Sequence, residues 1–134
     1  NDNRRLVLED TVIKYAGLEQ TADEIINLIN SDRLITAACF VNDDIAAQVM
    51  GKLQSKGIRI PDQLSITGFD NIRFSQASLP PITTLHTDRK QLGIEGAKAI
   101  LRRIQEPSSP VRKLLFPSTL IKRDSVKSPA RTPR

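Results

Sequence analysis

The chain has one cysteine and one histidine among its 134 residues. That excludes a disulfide framework and the common zinc ligand sets. It lacks any apolar run approaching the roughly 20 residues a membrane span needs, and its polar start, NDNRR, does not have the form of a signal peptide. There is no nucleophile elbow, no phosphate-binding loop and no dinucleotide fingerprint, and Gly68 stands alone. Cys39 lies inside the apolar run ITAACFV, which predicts an inert core residue rather than a reactive thiolate. His86 ends another apolar run with no identifiable partner. These absences argue for a soluble protein with no catalytic residue, no metal, no cofactor and no membrane partner.

What is present is one domain's worth of globular sequence. Apolar residues make up 39% and charged residues 26%, and a chain of this length buries roughly two-thirds of its unfolded surface. The net charge is +5, but Lys122, Arg123, Lys127, Arg131 and Arg134 cluster near the end, where SVKSPARTPR is rich in Pro and Ser. Such a stretch usually stays unfolded, so residues 126–134 are expected to form a disordered basic tail. Without it the body is close to balanced, and the basicity is not read as a nucleic-acid site.

Short strands and helices alternate along the chain. Arg5 to Val12 suits a first strand. Thr21-Ala-Asp-Glu24 has the form of a capping box and predicts a helix ending near Ser31, with Ile25, Leu28 and Ile29 on one face. Ile35 to Val41 reads as a strand buried on both faces. Asn42, Asp43 and Asp44 can each cap the next helix, whose stripe is Ile45, Ala46, Val49, Met50 and Leu53. Gly57 is placed as its C′ residue, with Ile58 folding back on Leu53. Leu64 to Phe69 and Ile82 to His86 are further strands. Asp88 caps a third helix, carrying Ile100, Leu101 and Ile104, which Pro107 stops. Leu114 to Phe116 and Thr119 to Ile121 form one or two last strands.

Strands separated by helices imply an α/β fold with right-handed crossovers and a mostly parallel sheet flanked by helices. Ligands of such sheets bind outside the carboxyl ends of the strands. Asn42-Asp43-Asp44 and Asp70-Asn71 end two of the strands, so both polar clusters fall on one edge. Receiver domains also gather carboxylates there, but they need a lysine at a late strand tip, and ITTLH is followed by Thr87-Asp88-Arg89. Capping explains Asn42 and Asp43 without any ligand, and an Asx-turn would explain Asp70. The functional reading has Asn42 and Asp70 facing a cleft. A carboxylate accepts two bonds from adjacent hydroxyls, and an amide both donates and accepts.

Six short motifs stand in order: Asn42-Asp43, G-x-x-I-P at 57–61, S-I-T-G-F-D-N at 65–71, P-x-T-T at 81–84, Leu92-Gly93, and L-I-K-R-D-S at 120–125. Together they resemble the effector-binding domain of the LacI/GalR (lactose-repressor/galactose-repressor) family of bacterial transcription regulators. The resemblance implies a type I periplasmic-binding-protein-like fold of two lobes with an effector between them. It makes residues 1–125 a partial, incomplete effector domain, mainly the second lobe, with the helix over 88–105 belonging to the absent first lobe. Asn42 and Asp70 match effector-contacting positions. Asp43 matches a mostly structural position beside the cleft, and Thr87 and Asp88 match a hinge crossover. Asn71 stands where the common form has a second acid.

The resemblance further implies a cytoplasmic repressor that senses a sugar or similar small metabolite and forms homodimers through Ile45 to Leu53 and Ser75 to Leu79. Operator DNA would be reached only through an N-terminal helix-turn-helix outside this sequence. Effector binding would shift the balance between two lobe arrangements. A periplasmic sugar receptor serving a transporter is the alternative. A gene fragment without function is a third reading.

Overall fold

A computed structural model describes residues 17–31 and 35–129. The strand expected over Arg5 to Val12 and the last residues of the basic tail lie outside that range. In chain order the elements are α1 (Leu18–Ser31), β1 (Ala37–Cys39), α2 (Asp43–Ser55), β2 (Ser65–Phe69), α3 (Arg73–Ala77), β3 (Thr83–Thr87), α4 (Arg89–Gln105) and β4 (Ser118–Ile121). The sheet order is β1-β2-β3-β4. The first three strands are parallel and β4 is antiparallel to β3, so the mostly parallel α/β architecture is observed.

Helix α1 forms because Leu18, Ala22, Ile25 and Ile29 recur at helical spacing and turn one stripe inward. The capping-box expectation at Thr21 is corrected. The Thr21 N–H already donates to the Gly17 carbonyl at 3.0 Å, so the helix is a full turn old there. The Thr21 side chain is buried inside the helix, and its hydroxyl has no partner among the described residues. Glu24 accepts instead from the Gln20 amide, at 3.1 Å.

Helix α2 follows its local signals. Asn42 is the N-cap, its side chain accepting from the Ile45 N–H at 2.9 Å. At the other end Gly57 takes φ +88°. The Gly57 N–H reaches the Gln54 carbonyl and the Ile58 N–H reaches the Leu53 carbonyl, each at 3.0 Å. This is the Schellman pattern, and glycine is the residue that enters the left-handed region without a Cβ penalty.

The core lies on one face of the sheet. Ala22 and Ile25 from α1 meet Ala46, Val49, Met50 and Leu53 from α2, over Leu64, Ile66 and Ile82. Burying each large side chain stabilises the fold by about 1.5–3 kcal/mol. Glu19 and Asp23 of α1 clasp Lys52 and Lys56 of α2 at 2.7–3.0 Å. The Lys56 and Lys52 ammonium groups hold the Glu19 carboxyl below its ordinary pKa. Such exposed pairs add little stability.

Several expected details are corrected. β1 covers three residues rather than Ile35 to Val41, and among the described strands it stands at one end of the sheet order. Alternation along β1 turns Ala38 toward the core and leaves Ala37 and Cys39 exposed. Cys39 is therefore an exposed thiol, not a core residue. Leu114 to Phe116 form no strand. Helix α3, over RFSQA, had no counterpart in the sequence reading, because its N-cap, Ile72, makes no side-chain cap bond. Chain order also extends past Ser125, where the disordered tail was expected to begin. Lys127 exchanges backbone bonds with the Ser65 hydroxyl at 3.1 and 3.2 Å, and its ammonium meets Asp62 at 2.7 Å.

Candidate functional site

The parallel register sets the carboxyl ends of β1, β2 and β3 along one edge, so Asn42, Asp70-Asn71 and Thr87-Asp88 all leave the sheet there. The turn after β2 is the most constrained part of that edge. Asp70 has φ 99° and Asn71 has φ 52°. Two successive non-glycine residues in the left-handed region are costly, and such conformations persist only where the surroundings over-determine them.

Those surroundings are explicit. The Asp70 N–H donates to the Leu85 carbonyl at 2.9 Å, tying the turn to β3. The Ile72 N–H donates to Asp43 Oδ2 at 2.9 Å. Between them, Asn71 Oδ1 accepts from the Arg123 guanidinium, and Asn71 Nδ2 lies 3.4 Å from His86 Nδ1. Each residue of the turn has its own anchor. The Asp70 carboxylate itself makes no hydrogen bond among the described residues, which removes the Asx-turn account of it. Asp70 is half-buried at the strand's carboxyl end.

Asp43 is fully buried. Besides the Ile72 N–H, its carboxylate accepts the Thr84 hydroxyl at 2.6 Å. It sits against Gly68, where an added Cβ would fall 2.2 Å from Asp43 Oδ1 and 3.1 Å from the Asp43 Cα. A glycine inside a strand often marks a close approach of this kind. Asp43 also lies in the first turn of α2, where the helix dipole favours negative charge. It is thus an internal brace at the strand-end edge, and the N-cap role belongs to Asn42. Capping engages the Asn42 oxygen, while the amide N–H groups have no partner among the described residues.

Two expected site residues are engaged locally. Asp88 caps α4, accepting from the Gln91 N–H at 2.9 Å. The Thr87 hydroxyl pairs with that of Ser118 at 2.9 Å, joining β3 to β4. Neither is brought into contact with Asp70.

The motif L-I-K-R-D-S does not by itself reveal what Arg123 and Ser125 bond to. Arg123, counted in the sequence with the tail charges, donates to the Ile82 carbonyl at 2.8 Å and the Ser75 hydroxyl at 3.1 Å as well as to Asn71. Ser125 is buried, its hydroxyl donating to the Ile66 carbonyl at 2.6 Å and accepting from the Thr83 N–H at 2.8 Å. Nothing local in K-R-D-S signals partners forty to sixty residues away. No group of three or more His, Cys, Asp or Glu placed to hold a metal ion occurs among the described residues, and no helix among them is long and apolar enough to cross a membrane.

Comparison with known proteins agrees with this architecture. Residues 3–126 match the family described as "Periplasmic binding protein-like domain". The transcriptional repressor PurR of Vibrio cholerae is 36% identical over 106 residues, covering 79% of this chain and 31% of PurR. The chain thus spans about a third of the length of that curated relative. Among solved structures, a LacI-family regulator from Enterococcus faecium with bound ribose superposes with TM-score 0.68 at 30% identity, covering 82% of this chain and 39% of that one. The lac repressor dimer bound to operator and an anti-inducer gives 0.67 at 26% identity, covering 83% of this chain and 37% of that one. The chain belongs to the family of periplasmic-binding-protein-like domains.

Proposed function

We propose that this chain is the effector-sensing part of a transcriptional repressor whose strand-end edge binds a sugar or a similar small polyhydroxylated metabolite. The observation that carries the reading is the free Asp70 carboxylate, held on a doubly left-handed turn at the carboxyl end of β2. Asn42, with its unengaged amide N–H groups, stands at the same edge. Asp43, Asn71, Thr87 and Asp88 support the cleft without touching the ligand. The ribose in the Enterococcus faecium relative favours a sugar over other effectors.

The reading is non-enzymatic and needs no metal or cofactor. The chain supplies mainly one lobe. Helix α4, which buries no residue in this chain, packs in the whole protein against a second lobe formed elsewhere in the sequence. The ligand closes the two lobes and biases a cytoplasmic homodimer between states of different operator affinity. DNA is contacted by a helix-turn-helix domain rather than by these residues. The lac repressor dimer, bound to operator and an anti-inducer together, supports a protein that binds DNA and a small molecule at once.

The test uses the full-length protein. A panel of pentoses and hexoses is screened by thermal shift, and the strongest binder is titrated calorimetrically. Hydrogen bonds to a charged group contribute about 1.5–3 kcal/mol. Asp70→Ala is therefore expected to weaken binding roughly 10- to 150-fold, with operator binding in the absence of sugar retained. Asp70→Asn is impaired less, since one acceptor oxygen remains. Unchanged affinity in the alanine variant returns Asp70 to a turn residue.

A further inference from the structure

The Asp70 carboxylate can meet a ligand only if its backbone stays in a conformation that an isolated turn would leave. Of the three anchors on residues 70–72, two are short and internal to the sheet and α2: Leu85 on the Asp70 N–H, and Asp43 on the Ile72 N–H. The third comes from far along the chain. Arg123 lies 52 residues beyond Asn71 and spends its guanidinium on three acceptors of different elements: the Asn71 side chain, the Ser75 hydroxyl of α3 and the Ile82 carbonyl ahead of β3. Its backbone is fixed in turn, because the Thr83 hydroxyl accepts from the Arg123 N–H at 2.9 Å and donates to its carbonyl at 3.1 Å. A planar fork with five donors can bridge three acceptors at once, whereas an ammonium acts as a single point charge.

We infer that Arg123 is a positioning residue for ligand recognition, holding the Asp70–Asn71 turn in its left-handed conformation through the Asn71 side chain. The inference rests on the proposed role of Asp70 and adds to it. Arg123 touches no ligand. It lowers the number of conformations from which Asp70 must be recruited on binding, which is the general benefit of preorganisation.

The experiment compares full-length wild type with Arg123→Lys, Asn71→Ala and the double variant. Two readouts are used: amide hydrogen exchange by mass spectrometry, and affinity for the sugar selected from the panel above. Both single variants are expected to speed exchange of the segment spanning residues 70–72 about tenfold, the scale of one hydrogen bond to a charged group. Exchange of α2 and of β2 upstream of the turn stays at the wild-type rate. Sugar affinity falls in each, and the double variant is no worse than the weaker-binding single one, since both remove the contact through which Arg123 acts on the turn.

Faster exchange throughout the sheet, or independent and additive losses in the double variant, would make Arg123 an ordinary structural residue and overturn the inference. If Arg123→Lys does not fold, Asn71→Ala still decides, since it removes the side chain through which Arg123 acts on the turn and leaves the guanidinium's bonds to Ser75 and Ile82 in place. Should no sugar bind the wild type, the sugar reading fails while the exchange result still judges the positioning role.

Discussion

Of the described glycines, only Gly68 has a neighbour where a Cβ would stand, and that neighbour is an acid. Gly68 has no Cβ because Asp43 occupies the space one would need. Gly68→Ala must push back the Asp43 backbone as well as its carboxylate, because the Asp43 Cα is also in close contact. Overpacking of this kind typically costs about 1–3 kcal/mol, and it would strain the acid's bonds to Thr84 and Ile72. Urea denaturation of the full-length variant is expected to show a lower midpoint with an unchanged slope. Stability equal to wild type would mean that the strand yields more easily than the contact suggests. Serine or larger residues at position 68 should be worse still.

At the scale of elements, α2 and α4 make an instructive contrast. Both start at a side-chain cap, Asn42 and Asp88, and both were legible from the sequence because a cap and its N–H lie within three residues of each other. Their fates differ in packing. Helix α2 buries Ala46, Val49, Met50 and Leu53. Helix α4 buries none of its 17 residues, leaving Ile100, Leu101 and Ile104 at 63%, 58% and 70% exposure. An apolar stripe like this on an isolated chain drives association. The 134-residue chain is expected to sediment with a concentration-dependent mass and to bind a hydrophobic dye, and Leu101→Lys with Ile104→Lys should reduce both effects. In the full-length protein the same pair of changes should instead lower stability. A clean monomer unfolding in one sharp, concentration-independent transition would show that the stripe needs no partner.

For the molecule as a whole, the net charge of +5 suggests more about nucleic acid than the structure supports. The Arg123 guanidinium is committed to three internal acceptors, and the Lys127 ammonium to Asp62. Two of the five cations that give the C-terminal end its basic character are therefore engaged. Binding of this chain to operator-type duplex is expected to be weak, indifferent to sequence and abolished by moderate salt. Fluorescence anisotropy at two salt concentrations checks this, and sequence-specific binding at physiological salt would contradict it. In the full-length protein, sugar and operator should alter each other's affinity by one common factor, about 1–3 kcal/mol in such linked systems.

The sequence by itself determined the features whose partners are near in the chain or set by period alone. These are the caps at Asn42 and Asp88, the Schellman end at Gly57 and Ile58, strands β2 and β3, and the strand-end edge shared by Asn42 and Asp70. The free energy of each is local, so the residues that carry it also announce it. Local reasoning failed where a neighbour had already done the work. Thr21 has the form of a cap, yet Gly17 starts the helix one turn earlier. Only the tertiary structure decided the roles of Asp43, Gly68, Thr84, Arg123 and Ser125, whose partners lie 25 to 59 residues away. It also decided that Cys39 is exposed, because which face of a strand is covered depends on where the helices pack. A buried acid or a bridging guanidinium is stable only once distant donors and acceptors have been brought into place, and no pattern along the chain encodes that meeting.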